Sequence, residues 1–261
     1  MKNKIITLFS SSSGNSTLVT DGDTNILVDA GVSANRIVKA LECINLDVCE
    51  IDAILITHEH SDHIKGVPAL STKYNIPVYA NEKTIMSTAD LYGSVYERNL
   101  KQIEAGKPFT VRGMEVYGFS TPHDSADSMG YTFLSDGGYM SVATDTGHIS
   151  KSMLNNLSKS EIVLIESNHD VEMLKGGRYP YPLKKRILSD NGHLSNDKCA
   201  WLATQLAIWG TKRILLGHLS EHNNTPELAF NTTSKMLADN GIVIGRDVLL
   251  KVANKSTITE I

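Results

Sequence analysis

The stretch ILITHEHSDHIKG, residues 54–66, decides the fold. With Ala53 in front of it, four of the five residues from 53 to 57 are apolar, so a short, fully buried strand is predicted there. Directly after it stand His58, Glu59, His60, Asp62 and His63. Three imidazoles and two carboxylates are too costly to bury without partners. Imidazole nitrogen and carboxylate oxygen suit zinc and related divalent ions. In a turn past a strand end, alternate residues can face one point while the next pair faces a second. One loop holds too few ligands for two closed sites, so other strand ends must contribute.

Candidates stand where other strands are predicted to end: Asp29 after NILV, His123 after VYGFST, Asp145 after MSVAT, Glu166 and His169 after IVLI, and His218 after RILLG. The recurrence of His, Asp or Glu after buried strands points to one shared, metal-lined edge. Between these strands the pattern alternates. Ser33 can cap a helix over ANRIVKALECI, IKGVPALSTKY reads as one helix despite Pro68, and EKTIMSTADLY as another. A β-rich section follows from residue 109 to 145, with Gly137-Gly138 as a hairpin turn. Helices near ISKSMLNNL, SNDKCAWLATQLAIW and PELAFNTTSKMLADN then alternate with the strands EIVLIES, KRILLGH and DVLLKVA. Each half runs from β-rich to β/α. The economical packing is an α+β protein of four layers, an αββα sandwich, formed by residues 1–261 as a single domain.

Bulk properties narrow the function classes. Twenty-five basic against 29 acidic residues leave a formal charge of −4, so any polyanion must be held by a local patch. The N-terminal apolar run, Ile5 to Phe9, is too short for a signal-peptide core, and no stretch approaches a membrane span. Three cysteines without a CxxC pair fit a reducing cytoplasm better than a disulfide framework.

THEHSDHIKG resembles the signature loop of the metallo-β-lactamase superfamily. NILVDAG, the isolated His123, ATDTG and LLGHLS resemble the other landmarks of that fold, in order and across nearly the whole chain. SSSSGNST, ESNHD, GHLSN and GHLSEHNN together resemble the WalJ (YycJ) family of bacterial metallohydrolases, relatives of ribonuclease Z and ribonuclease J whose members act as nucleases on DNA ends. The resemblance implies two divalent ions, Zn²⁺ or Mn²⁺ with Fe possible. It makes His58, His60 and His123 the first site, Asp62, His63 and His218 the second, and Asp145 the bridge between them. His222 competes with His218, which directly follows its strand and is the expected ligand. Asp29 matches a supporting residue that orients the loop. Diiron oxygen-reducing members carry Glu at the position of His60, and many β-lactamases carry Cys at that of Asp145, so hydrolysis of phosphoesters is implied. A β-CASP insertion, as in ribonuclease J, does not fit into the residues that follow Asp145.

His193 opens the helix SNDKCAWLATQLAIW, with Ser195 or Asn196 as its N-cap. Resemblance to the helix start of ribonuclease Z implies that His193 donates a proton to the leaving oxygen, oriented by Glu166, while Ser195 and the helix N-terminus hold a phosphate. Ser13, Gly14 and Asn15 form either a plain hydroxyl-rich turn or part of a phosphate path. KGGRYPYPLKKR is the strongly basic stretch. As a loop, its Lys184, Lys185 and Arg186, with Tyr179 and Tyr181 interleaved, would track a backbone and stack bases. His148 and His169 read as structural or surface groups. The expected function is a two-metal phosphodiesterase, a nuclease attacking DNA ends exonucleolytically from 5′ to 3′. Two rivals stand beside it: a small-molecule hydrolase acting on a cyclic phosphate, nucleotide or thioester, and a non-catalytic, metal-free regulatory module.

Overall fold

The computed structural model describes residues 2–88, 95, 97–255 and 257–261. The first sheet holds β1 (Lys4–Phe9), β2 (Ser16–Thr20), β3 (Asn25–Val28), β4 (Ala53–Leu55), β5 (Val78–Asn81), β6 (Leu100–Ile103) and β14 (Thr259–Glu260), in the order β14-β1-β2-β3-β4-β5-β6. The second runs β13-β12-β11-β10-β9-β8-β7. Its strands are β7 (Pro108–Val111), β8 (Met114–Ser120), β9 (Met129–Ser135), β10 (Gly138–Ala143), β11 (Ile162–Glu166), β12 (Arg213–Gly217) and β13 (Leu249–Val252). The helices are α1 (Ala34–Cys43), α2 (Ser61–Ile64), α3 (Val67–Tyr74), α4 (Glu82–Ser87), α5 (Lys151–Leu157), α6 (Val171–Gly176), α7 (Tyr181–Ile187), α8 (Asn196–Trp209) and α9 (Pro226–Asp239).

Strand periodicity explains the continuous apolar runs. Ala53 and Leu55 face the layer between the sheets, with Ile26, Val28, Tyr131, Phe133 and Leu164. Ile54 and Ile56 face the opposite way, against residues of α1 and α3. Helices α5, α8 and α9 cover the outer face of the second sheet. Both faces of the central strands are therefore buried, which an alternating apolar–polar strand could not satisfy. The result is the expected αββα sandwich. Among the described residues, no helix is long and apolar enough to cross a membrane.

Four local readings change. The helix expected over 64–74 is two helices, α2 and α3. Pro68, in the first turn of α3, has no N–H to continue the preceding turn. Gly66 between them donates to the Ala30 carbonyl (2.7 Å), and a Cβ there would come within 2.3 Å of the Val32 carbonyl oxygen. The β9–β10 turn is Asp136-Gly137, because Gly138 already pairs with Ser135. The helix read over EKTIMSTADLY ends at Ser87, and its last residues lie outside the described ones. The basic stretch is largely helical rather than a loop. Asp170 caps α6, Pro182 sits in the first turn of α7, and Lys184 Nζ donates to the Lys175 carbonyl (2.7 Å), clamping one helix end to the next.

Candidate metal centre

Every candidate ligand lies at or just past the carboxyl end of a strand, and the two sheets bring these ends together. Three turns there are sharp. Asp29, Asp145 and His218, after β3, β10 and β12, have φ of 62°, 57° and 55°. Left-handed backbone is sparsely populated by non-glycine residues, though Asp and His tolerate it better than most.

Four overlapping groups of donor atoms result among the described residues: two match the expected sites, a third joins His58, His63 and Asp145, and a fourth joins Asp145, Glu166, His193 and His218. In the first, His58 Nε2 lies 3.0 Å from His60 Nδ1, which lies 3.4 Å from His123 Nε2. The second gathers Asp62, His63 and His218, with His63 Nε2 3.5 Å from Asp62 Oδ2. Asp145 stands between them. Its Oδ2 is 3.5 Å from His63 Nε2 and its Oδ1 is 3.9 Å from His123 Nε2. Within each cluster the donor atoms lie within 4.8 Å of one another. His222 belongs to none of them; its ring sits edge-on to Tyr179.

The opposite ring nitrogens show why these lone pairs converge. His58 Nδ1 donates to Thr57 Oγ1 (2.9 Å) and His123 Nδ1 to the Gly192 carbonyl (3.0 Å). His63 Nδ1 donates to Asp29 Oδ2 (2.7 Å) and His218 Nδ1 to Glu166 Oε1 (2.8 Å). An acceptor behind Nδ1 fixes the tautomer that leaves Nε2 an unprotonated donor, the usual arrangement behind a metal-bound histidine. His218 Nε2 and Asp145 Oδ2 are buried and have no hydrogen-bond partner among the described residues. Orphaned buried polar atoms are rare and call for a ligand. Electrostatics agree. Burial works against charge on His218, yet Asp145 and Glu166 outweigh it and push its pKa up to about 9. On His58, burial and the neighbouring imidazoles act together and hold the pKa well below normal. The carboxylates demand positive charge and the imidazoles cannot all supply it, so the donor set fits divalent cations.

Supporting residues surround this centre. Buried Asp29 accepts from the Thr57 N–H (2.8 Å), the Thr57 hydroxyl (2.9 Å) and His63, and so orients the loop without joining either cluster. Asn15 is buried, with Nδ2 3.1 Å from His63 Nε2 and 3.4 Å from Asp62 Oδ2; its N–H donates to the Asp62 carbonyl. Gly14 is buried, and a Cβ there would meet Val32 at 2.3 Å. Ser13 is exposed, and its hydroxyl pairs with that of Ser11 (2.9 Å).

Glu166 is a hub. It is fully buried, and Oε1 accepts from Nδ1 of both His193 (2.7 Å) and His218 (2.8 Å). Its Oε2 accepts from the backbone N–H of Thr146 (2.9 Å) and Leu194 (3.2 Å). Burial alone would raise the Glu166 pKa, but these two histidines outweigh it and hold the group ionised. The His193 side chain is 15% exposed against 1% for His218, so of the two rings on this carboxylate only His193 can meet a substrate. Ser195 is the N-cap of α8, and its hydroxyl accepts from the Lys198 N–H.

The basic cluster is weaker than its sequence suggests. Lys184 is committed to the Lys175 carbonyl, and Arg186 makes a two-pronged pair with Asp124, beside His123. Lys185 is exposed and makes no ion pair among the described residues. His148 is partly exposed and donates through Nδ1 to the Asp190 carbonyl, whereas His169 is buried with neither ring nitrogen partnered among the described residues. Sequence reading missed Thr57. Its hydroxyl touches Asp29, His58 and His63 together, and its only signal is a position between the strand and the first histidine.

Comparison with known proteins identifies the family. The family model described as a β-lactamase superfamily domain matches residues 24–219. The chain is 40% identical over 238 residues to the exodeoxyribonuclease YycJ of Bacillus anthracis, covering 91% of this chain and 90% of that protein. It is 41% identical over 254 residues to the exodeoxyribonuclease WalJ of Streptococcus pneumoniae serotype 2, covering 97% and 94%. Among solved structures, the metallo-β-lactamase fold protein YhfI from Bacillus subtilis superposes with a TM-score of 0.72 at 16% identity, over 98% of this chain and 99% of that one, a likeness of fold alone. A histidine–aspartate centre at the joined ends of two sheets, a matching domain model and full-length relatives together show that the chain belongs to the β-lactamase superfamily, in the family of the exodeoxyribonucleases YycJ and WalJ.

Proposed function

We propose that the chain is a two-metal phosphodiesterase that removes nucleotides from DNA ends, working from 5′ to 3′ as a single domain. The observation that carries the reading is the pair of donor clusters with Asp145 between them and His193 next to Asp145. In this reading His58, His60 and His123 would hold one ion and Asp62, His63 and His218 the other, with Asp145 positioned to serve both. Two divalent ions, zinc or manganese with iron also suited to the donors, would supply Lewis acidity and make water a nucleophile near neutral pH. His193 gives a proton from Nε2 to the departing oxygen, while Glu166 accepts from Nδ1 and stabilises the imidazolium that does so. Asp29 and Thr57 keep the loop of residues 58–63 from turning away. In the first turn of α8 the N–H groups of Asn196 and Lys198 are taken by the His169 carbonyl and the Ser195 hydroxyl, which leaves that of Asp197 to meet a phosphate. The names of the two full-length relatives support DNA ends as the substrate.

The test is digestion of single- and double-stranded DNA and RNA, each blocked at the 5′ or the 3′ end, with zinc, manganese or iron added. Release of nucleotides from DNA with a free 5′ end is expected. Cleavage of no polynucleotide with any metal would overturn the proposal. One observation favours a small-molecule phosphoesterase instead: Lys184 and Arg186, two of the three expected cationic contacts, are already committed within the protein. That rival predicts activity indifferent to salt and to competing polynucleotide.

A further inference from the structure

A cavity of about 770 Å³ lies between α6 and the loop that follows the candidate ligand His218, lined by Met173, Gly177, Arg178, Tyr179, Glu221 and His222. That volume lies within the roughly 300–1,000 Å³ of sites that take small organic molecules. Two links tie it to the centre. Glu221 follows the candidate ligand His218 by three residues, and Asn168 ties the segment down, accepting from the Ser220 N–H (2.8 Å) and donating through Nδ2 to the His218 carbonyl (3.0 Å). The walls are fixed. The Asn223 carbonyl accepts from the Asp170 N–H at the start of α6 (2.8 Å). At the other end of α6, Gly177 approaches so closely that a Cβ would lie 2.7 Å from Asn223 Oδ1. The lining suits one chemistry. The Tyr179 and His222 rings meet at 90° with centroids 5.9 Å apart, giving one flat face and one perpendicular wall. Arg178 is exposed and unpaired among the described residues, and the Glu221 charge is balanced by Lys255 at 2.6 Å.

Resting on the nuclease reading above, we propose that this cavity is a nucleobase subsite: it holds one base of a single-stranded DNA end, with Tyr179 stacking on the base, His222 closing its edge and Arg178 meeting the adjoining phosphate. His222 thereby has work outside the metal centre. A flat apolar ring beside a cation takes any base, because every base has a π-face.

The experiment scans a single abasic nucleotide along a single-stranded oligodeoxynucleotide and measures kcat and KM for the metal-loaded enzyme. For the wild type, one position should raise KM by roughly 5- to 150-fold, the range that loss of one stacked base gives. Tyr179→Leu should raise KM for the intact strand by a similar factor and become insensitive to the abasic position. Tyr179→Phe should keep both values. Arg178→Ala should lower the salt slope of KM by about one. Wild type and Tyr179→Leu responding alike to the scan, or Phe failing as Leu does, would overturn the subsite while leaving the nuclease reading intact. Absence of any DNA cleavage by the wild type would overturn both.

Discussion

Replacing Glu166 by Gln keeps the shape of the hub and removes its charge, and the hydrogen bonds around it must then rearrange. All four groups on this carboxylate donate to it: two backbone N–H groups on Oε2 and two imidazole Nδ1–H groups on Oε1. The backbone pair cannot change, so the amide oxygen must turn to Thr146 and Leu194. The NH₂ then faces both imidazoles, and each must move its proton from Nδ1 to Nε2. For His218 that shift occupies the very atom left without a partner in the second cluster. For His193 it removes the carboxylate that stabilises the imidazolium. Two charge-assisted hydrogen bonds of about 1.5–3 kcal/mol each are at stake, so roughly 3–6 kcal/mol of preference for the working tautomers disappears. Part should appear as a 10–100-fold loss of affinity for one ion. Part should appear in kcat, through loss of a proton donor worth about 10²–10⁴-fold. Equilibrium dialysis with elemental analysis reads the first, single-turnover cleavage at saturating metal the second, and ¹⁵N spectra of the imidazoles the tautomers. In a His193→Ala background only the share carried by His218 should remain, so the two substitutions should be far from additive. Glu166→Gln with Nδ1 still protonated on both rings, or with metal affinity and rate within about threefold of wild type, would refute the account.

His193→Ala should keep metal content while losing far more rate on DNA than on a nitrophenyl phosphodiester, whose leaving group needs little proton help; equal losses would indicate phosphate binding instead. Lys185→Ala, unlike Arg186→Ala, should lower the salt slope of DNA binding by about one without disturbing the pair beside His123, checked by titration at several salt concentrations. Asp62→Ala should abolish cleavage and lower metal content, measured after reconstitution and dialysis. Acid stability should depend on His169, whose burial lowers its pKa from 6.5 to about 4. Between those values the unfolded chain binds a proton that the folded one does not. Stability is therefore lost as pH falls from about 6.5 to 4, by up to roughly 3 kcal/mol. His169→Phe should flatten that part of the Tm–pH curve, and an unchanged curve would show that His169 is not held neutral.

The strands and their ends were legible because β4 and its neighbours are buried on both faces, which leaves uninterrupted apolar runs with a polar residue at each terminus. The metal candidates were legible for the same reason: chemistry after a buried strand has one direction to face. What escaped the sequence was pairing. Nothing in KKR distinguishes Lys185 from Arg186 until Asp124, 62 residues away in the chain, is placed against one of them. The contact of Thr57 with two histidines and an aspartate likewise depends on a turn of the backbone that hydropathy does not record. The helices α6 and α7 were hidden because each spans less than two turns, too short for a helical period to show, and the Gly- and Pro-containing residues between them read as a loop.

The left-handed backbone at Asp145 and His218 places stability and activity in opposition at two known addresses; Asp29 shares the angle but accepts the hydrogen bonds that hold the loop. Glycine would adopt those angles freely, relieving about 1 kcal/mol or more at each, and would also lift a buried carboxylate or imidazole out of the interior. A lineage released from selection for activity therefore gains by drifting to glycine or asparagine at these positions, well before its core changes. In a chain of this fold that has lost its chemistry, decay should be read first in those two codons, while the histidine-rich loop still looks whole.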